Sequence, residues 1–508
     1  MTEGHPSVPP STPAGPPPAG HPASGSYGPY DPAHQTARPG PYGPPGSGAP
    51  PGGGQSKRRR WIILGSVLTV VLLLAGTVFV VRGHLANEQA KRDAAYAAAE
   101  EALNPIKIDE IDALLAGQAK ALKDRDEKAF LAAYDPADKK LVDQQGVLFR
   151  NLMKVPFAEA AFKRLGEGSA FRPVGTGASV DHVVAFVHKI DGYDLHPVDE
   201  QYEWTIVRTE QGGPIKVTAV KGITNNRGEF TYYPAPWDKW RTIHVERTKH
   251  TLFIVDGSLK AQAKRYAPQA ERAAVADLAA WRAGGVAGEI PQGFVISLVK
   301  GKKDLASLYR RSKEPPTEAG KSYGVRRFQD INAPDDDKAP LIGGSRVVID
   351  LNTGFFDQSV PEGPSEIFRH ELAHSMVAAL TYQEDDLTLV LKSSWVTEGF
   401  AEYLENEQKP WTTSPRTPAA KESLRTGWSL GLKDEFNRKN AESTDLAYWC
   451  GHAAIGYIAE KYGEPKAFEV VAEHYRGKEI KDVLQEVLDV SYEDFYAAWE
   501  KYVKAKIR

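Results

Sequence analysis

The chain has 508 residues, which is long enough for two or three domains. Its formal net charge of −3 supplies no bulk attraction to nucleic acid or to acidic lipid, so no nucleic-acid partner is expected. The single cysteine, Cys450, excludes an internal disulfide framework, and burial of apolar side chains must therefore stabilise the fold.

The N-terminal part divides into two segments. Residues 1–56 are dominated by Pro, Gly, Ser, Ala and His, which predicts a disordered tail. Residues 61–81 carry no charge and follow a basic group at residues 57–60. As a helix this run would measure roughly 30 Å, enough to cross a bilayer. The preceding cations predict a single-pass cell-membrane protein that contacts lipid through 61–81, with a cytoplasmic N-terminus and extracytoplasmic C-terminal domains.

An accessory domain is predicted at residues 105–235, after a helical stalk at residues 86–104 that is rich in Ala, Glu and Lys. Apolar residues at helical spacing over 108–134 precede three predicted strands, at 182–187, 202–207 and 215–220. Helices followed by an antiparallel sheet predict a small α+β domain, and the order is similar to the cone-shaped nuclear-transport-factor-like folds. His182 and His188 have no partner motif and are expected at exposed or edge positions.

The last predicted domain, residues 236–508, begins with a mixed region. Its apolar runs predict strands at 242–245, 251–255, 294–299 and 346–351. A long helix is predicted from Leu259 to Ala283, and the pair Gly284-Gly285 would end it. From Ala453 onward the pattern is helical throughout, with breaks at two glycines. This helical lobe would form a cleft where it meets the sheet.

The first chemical motif is His370-Glu371-Leu372-Ala373-His374. Residues four apart share one face of an α-helix, so the imidazoles of His370 and His374 can converge on one metal ion. Glu371 lies about 100° further round, where its carboxylate can take a proton from water that the metal activates. The spacing therefore predicts a zinc site with a general base beside it.

A second motif, Trp395-Val396-Thr397-Glu398-Gly399-Phe400-Ala401-Glu402-Tyr403, offers the third ligand. Catalytic zinc usually takes three protein ligands and keeps a fourth position open, and two histidines with one glutamate form a known set. Glu398 supplies the glutamate. Glu402, one turn later on the same face, could accept the outer ring N–H of a ligating histidine.

Together the two motifs resemble those of the gluzincin metallopeptidases, especially the aminopeptidase-like branch, over roughly the last half of the chain. The resemblance implies one Zn²⁺ per chain, bound by His370, His374 and Glu398, with Glu371 as general base and Glu402 in the shell behind the ligands. It also implies a thermolysin-like catalytic domain with a sheet lobe and a helical lobe. No Gly-Ala-Met-Glu-Asn-like strand precedes the helix, so recognition of a free amine is not supported.

Peptide hydrolysis also needs a group that stabilises the tetrahedral oxyanion. Tyr448 lies on a predicted helix downstream of Glu398, where the resembled peptidases commonly carry such a donor, and His452, one turn on, is the competing candidate. Each could instead pack between helices. Cys450 between them is expected to be a small buried hydrophobe, since the ligand set is complete without a thiolate.

In the resembled family, the edge strand beside the zinc pairs with the extended backbone of the substrate, and the predicted strand 346–351 is the candidate. Taken as a whole, the sequence predicts a membrane-anchored α+β zinc metallopeptidase with a peptide or protein substrate. The rival hypothesis is a membrane-tethered binding or scaffold protein that keeps a peptidase fold without turnover. Glu371 argues for the enzyme, because a metal site that served only stability would need no base there.

Overall fold

The computed structural model describes residues 86–93, 105–223, 232–309, 318–329, 341–381, 394–407, 409–433 and 441–507, the first two of the last range by backbone alone. The chain divides into two compact units, residues 1–90 and residues 91–508. The predicted tail at 1–56 and the predicted span at 61–81 lie outside the described residues.

No helix within the described ranges is both long and apolar enough to cross a membrane. The longest of them, residues 260–284, carries charged side chains along its length and packs with its alanines against the protein core. This finding contradicts the predicted transmembrane, single-pass protein and the localisation derived from it.

The first region combines helices with an antiparallel sheet, after a short helix at residues 86–93. Its helices are α1 (Ile108–Asp124), α2 (Glu127–Leu131) and α3 (Lys139–Leu152), and its strands are β1 (Phe157–Leu165), β2 (Arg172–Val174), β3 (Gly177–Ile190), β4 (Val198–Arg208) and β5 (Lys216–Gly222). The strand order is β1-β3-β4-β5, and β2 pairs with β3. The three predicted strands are thus present, with two more beside them.

The second region holds a mixed sheet. It contains α4 (Pro236–Lys239), β6 (Ile243–Arg247), β7 (Thr251–Asp256), α5 (Lys260–Gly284), β8 (Phe294–Val299), α6 (Lys302–Leu305), β9 (Gly320–Arg326) and β10 (Ile342–Asp350). The strand order is β6-β7-β8-β10-β9, in which β8 is parallel to both β7 and β10, while β6 and β9 are antiparallel to their neighbours. Gly285 ends α5 in the left-handed conformation, with φ of 69°.

The predicted substrate strand 346–351 is not an edge strand. Its residues 346–350 belong to β10, which pairs with β8 on one side and with β9 on the other. β9 is the edge strand. It was not predicted, because Gly320, Ser322 and Gly324 interrupt the apolar alternation by which strands are recognised.

Helices complete the fold around the second sheet. They are α7 (Gly363–Val377), α8 (Trp395–Glu405), α9 (Thr417–Arg425), α10 (Ala441–Tyr462), α11 (Glu464–Tyr475), α12 (Ile480–Leu488) and α13 (Tyr492–Lys506). The described chain is therefore a mixed α+β fold with two sheets and a helical C-terminal part.

The second sheet is buried on both faces. Along β7, Phe253 and Val255 pack against the helices, whereas Leu252 and Ile254 pack with residues of the first region. Because side chains of a strand alternate between faces, a strand covered on both sides must be apolar throughout. The two regions thus share a core, and the predicted division at residue 235 remains a prediction.

A buried polar group at this shared core, called the junction cluster, consists of Arg346, Asp194, His188 and Glu200. Arg346 on β10 donates to both carboxylate oxygens of Asp194, at 2.5 and 3.0 Å. Its second terminal nitrogen lies 3.4 Å from His188 Nε2, and His188 Nδ1 lies 3.3 Å from Glu200 Oε2. His188 is fully buried, so the expectation of an exposed or edge position for it was wrong, and the 2 % exposed His182 is buried as well.

Candidate metal centre

The two histidines of the first motif lie on α7, a helix that is buried along most of its length. Pro364 occupies its first turn, where a missing backbone N–H costs nothing. His370 and His374 are one turn apart, with ring centroids separated by 5.0 Å. The helix therefore presents two imidazoles side by side, as the spacing predicts.

Glu398 comes from α8, which begins at a cap formed by Ser394 and Thr397. α8 lies close to α10 because glycines face each other there: a Cβ on Gly399 would stand 2.4 Å from the backbone of Gly451. This close approach needs glycine at both positions and fixes the direction in which α8 runs.

Three ligand atoms converge between α7 and α8. Glu398 Oε2 lies 3.3 Å from His370 Nε2 and 3.4 Å from His374 Nε2. One ligand atom from each of His370, His374 and Glu398 lies within 4.8 Å of the others. The three predicted ligands are therefore brought together, and their two nitrogens and one carboxylate oxygen are a donor set suited to Zn²⁺.

The outer nitrogens of both rings are held by other side chains. His370 Nδ1 lies 2.9 Å from Glu405 Oε2 but 3.9 Å from Glu402 Oε1. His374 Nδ1 lies 3.4 Å from the hydroxyl of Tyr475. With Nδ1 occupied on each ring, both Nε2 atoms are directed toward Glu398, which is the arrangement that a metal ligand needs.

Glu405, rather than Glu402, is thus the closer acceptor of the outer N–H of His370, and the role expected for Glu402 stays a prediction. Glu402 instead accepts a hydrogen bond from Arg416 Nε at 2.9 Å. Burial raises the pKa of Glu402 to about 7, although the Arg416 guanidinium opposes the shift. Arg416 also pairs with Asp445.

We call His370, His374, Glu398, Glu402, Glu405 and Arg416 the metal cluster. Burial alone would lower the pKa of His370, but its hydrogen bonds to Glu398 and Glu405 outweigh that effect and raise the pKa well above its usual value. Without a metal, the surrounding carboxylates therefore favour a positive charge at this position.

Glu371, the predicted base, lies directly against the edge strand. A Cβ added to Gly320 on β9 would stand only 2.7 Å from Glu371 Oε1 and 2.9 Å from its Cδ. Two residues further along β9, the Ser322 hydroxyl lies 2.9 Å from that of Ser375 on α7. Small residues on this face of β9 therefore allow α7 to bring the Glu371 carboxylate to the sheet edge.

The two candidates for an oxyanion donor differ in their surroundings. The Tyr448 ring lies 6.0 Å from the His370 ring, and the Arg416 guanidinium lies 4.7 Å above its centroid. His452 is fully buried, and its ring meets Tyr403 edge-on at 6.2 Å. Burial lowers the pKa of His452 to about 4, so the ring is neutral at pH 7.

Cys450 is buried, and burial raises the pKa of its thiol to about 12. Among the described residues, two groups could hold a metal ion, and neither includes Cys450: His370, His374 and Glu398, and His370, Glu402 and Glu405. As expected, its position is that of a small hydrophobe.

Sequence reasoning missed four contributors to the site: Gly320, Glu405, Arg416 and Tyr475. Only Glu405 carried a sequence signal, since it follows Glu398 by seven residues and so returns to the same face of α8. The other three come from distant segments that only the tertiary fold brings near the ligands.

Comparison with protein-family models gives no match, and comparison with curated proteins finds no relative. The geometry of the site is therefore the basis of the functional argument below.

Proposed function

We propose that this protein is a zinc-dependent metallopeptidase of the gluzincin type, with His370, His374 and Glu398 as zinc ligands and Glu371 as general base. One observation carries the proposal. Three ligand atoms from two helices lie within 4.8 Å of one another, while the outer nitrogens of both histidines are held by Glu405 and Tyr475.

Zinc in such a site supplies Lewis-acid chemistry and lowers the pKa of water from about 15.7 toward about 7. Glu371, held against Gly320, accepts the proton as the water attacks the scissile carbonyl. Tyr448 is the preferred donor to the developing oxyanion, because its ring neighbours His370, whereas His452 is buried against Tyr403. A donor at that oxygen is typically worth about 3 kcal/mol.

The substrate would bind along β9. Asp350 N donates to Ala319 O, and Arg327 N donates to Leu341 O, so the odd-numbered residues from 319 to 327 direct their peptide groups toward β10. The even-numbered residues Gly320, Ser322 and Gly324 then direct theirs to the outer edge. No described strand pairs with that edge between residues 320 and 326. Main-chain pairing there would bind an extended peptide beside Glu371 with little dependence on its side chains.

The finer description of the fold belongs to the same proposal. The second sheet with α7, followed by the helices α8 to α13, corresponds to a thermolysin-like arrangement of sheet lobe and helical lobe. The helices α1 to α3 and the sheet β1 to β5 correspond to a nuclear-transport-factor-like accessory domain. The position of the ligands on α7 and α8 supports the first assignment, and the order of helices before an antiparallel sheet supports the second.

The proposal is tested first by the zinc content of the purified full-length chain. We expect about one zinc per chain in the wild type and loss of zinc in His374→Ala and Glu398→Ala, since each change removes one of three ligands. No zinc in well-folded wild-type protein would contradict the proposal.

The second test separates metal binding from catalysis. Glu371→Gln keeps the shape of the side chain but removes the base, so we expect zinc to be retained and peptide hydrolysis to fall about 10²- to 10⁴-fold. Glu362→Gln is the matched control, because Glu362 is an exposed residue at the start of the same helix. If zinc is bound but wild-type protein hydrolyses no member of a peptide library, the binding or scaffold hypothesis replaces the enzyme.

A further inference from the structure

The outer edge of β9 is already occupied at one end by the first region. Val198, the first residue of β4, forms an antiparallel bridge with Arg327, just after the end of β9. Phe328 N donates to Pro197 O at 2.7 Å, and Arg326 N donates to the Tyr232 hydroxyl at 3.1 Å. The chain around residue 198 thus pairs with this edge as an added strand would.

This obstruction is firmly held. Val198 is fully buried, and the backbone N–H groups of Leu195 and His196 both donate to Gly343 O at 2.9 Å. The segment 195–198 is therefore bound to the residues just after β9 and to β10, and β4 continues from it into the first sheet. The edge of β9 is therefore closed to a pairing peptide from Arg326 onward.

The other end of β9 carries the catalytic group, since Glu371 lies against Gly320. Antiparallel pairing is the more stable arrangement per residue. In that direction, the N-terminal side of the substrate extends from Gly320 toward Arg326 and the C-terminal side extends past Glu371. The obstruction therefore faces the N-terminal side of the scissile bond.

We propose that the first sheet limits how many residues can precede the scissile bond, so that the enzyme cleaves close to the N-terminus of its peptide substrates. This inference rests on the proposed peptidase function. Four residue steps separate Gly320 from Gly324, which corresponds to roughly 14 Å at about 3.4 Å per residue. That length accommodates about five substrate residues, and further residues meet Tyr232 and Val198.

The limit depends on length rather than on recognition of a free amine. The sequence lacks the amine-recognition strand of the aminopeptidase-like branch, and the group closing the edge is a paired backbone segment. An acetylated N-terminus of suitable length should therefore be accepted as well as a free one. The products would be short N-terminal fragments rather than single amino acids.

The test uses the zinc-loaded full-length chain and two series of N-acetylated peptides that share one cleavable sequence. The first series places 3, 5, 7, 9 or 12 residues before the scissile bond, and the second adds the same residues after it. We expect kcat/KM to peak near five preceding residues and to fall at least tenfold by nine, while the second series shows no fall. Equal or rising efficiency in the first series would overturn the length limit.

The two proposals fail in different ways. If no peptide of either series is hydrolysed, the peptidase function is at fault. If both series are cleaved equally well at every length, only the length limit is wrong.

A pair of variants tests whether the substrate pairs with β9. Ser322→Pro removes an outward backbone N–H, and Ser322→Ala loses the same hydroxyl but keeps that N–H. Loss of one main-chain hydrogen bond should lower kcat/KM for five-residue peptides roughly threefold to tenfold in Ser322→Pro relative to Ser322→Ala. Equal values in two variants with wild-type thermal stability would show that the substrate does not use this edge.

Discussion

The metal cluster and the junction cluster both bury ionisable side chains, but they balance their charges differently. In the junction cluster, the one guanidinium, Arg346, forms two hydrogen bonds with the one carboxylate beside it, Asp194. Burial raises the pKa of Glu200 well above its usual value, and burial together with Arg346 lowers the pKa of His188 well below it. Both shifts favour the neutral form of the group, so the ion pair between Arg346 and Asp194 is the main charge pairing of the cluster.

The metal cluster is not balanced in this way. Arg416, the guanidinium of this cluster, forms ion pairs with Glu402 and Asp445. Two imidazole nitrogens and one carboxylate oxygen instead converge within 4.8 Å of one another, and the carboxylates Glu398 and Glu405 raise the pKa of His370 well above its usual value. The difference is therefore that one cluster brings three potential ligand atoms together, whereas the other pairs a buried guanidinium with a buried carboxylate.

The largest expected effect comes from breaking the junction cluster. Arg346→Met leaves Asp194 buried without its cation, so we expect the free energy of unfolding to fall by about 3–5 kcal/mol. Urea unfolding measures this change, and the exposed Arg241→Met is the control. Zinc per folded chain should stay unchanged. A loss below about 1 kcal/mol would mean that the junction cluster does not hold the two regions together.

A second variant removes a neutral donor beside the metal cluster. Tyr448→Phe should lower kcat about 10²- to 10³-fold, because the oxyanion loses a donor worth about 3 kcal/mol, while zinc content and KM change little. Steady-state kinetics measure the effects on kcat and on KM separately. Tyr403→Phe is the matched control, since its hydroxyl donates to Glu464 instead. If His452→Gln lowers kcat in folded protein and Tyr448→Phe does not, His452 rather than Tyr448 is the donor to the oxyanion.

The third prediction compares the two carboxylates behind His370. Glu405→Gln weakens the acceptor that orients the His370 ring, so we expect zinc affinity to fall roughly tenfold to a hundredfold. Glu402→Gln should have a smaller effect, because Glu402 Oε1 lies 3.9 Å from His370 Nδ1 and pairs with Arg416. Chelator competition at constant pH measures both affinities. If Glu402→Gln lowers the zinc affinity more than Glu405→Gln does, Glu402 has the role that the sequence predicts for it.

The smallest effect concerns pH and the junction cluster. The native pKa of Glu200 is raised by burial, so its stabilising contribution is complete below the unfolded value of about 4.5 and is lost as pH rises toward the native value. Glu200→Gln removes this linkage. We expect the unfolding free energy of the variant, relative to wild type, to increase from pH 5 to pH 8. An unchanged difference would show that Glu200 is charged in the folded protein.

Local spacing in the sequence was sufficient to predict that His370 and His374 lie side by side with Glu371 beside them. His370, Glu371 and His374 lie within five residues of one helix, so helical geometry alone fixes their relation. The sequence also predicts the strands β7, β8 and β10, because their apolar runs are long enough to be recognised. Glu398 could be assigned because the resembled motif places it one helix later.

Only the tertiary structure decided which side chains support those ligands. The sequence chose Glu402 where the structure places Glu405, because both share a face of α8 and the choice depends on how α8 packs against α7. Gly320 and Tyr475 lie 51 residues before and 101 residues after their partners, Glu371 and His374. The first sheet likewise reaches the edge of β9 through pairing that no local pattern encodes. Periodicity determines which residues share a face, but the partner of that face is set by packing between distant segments.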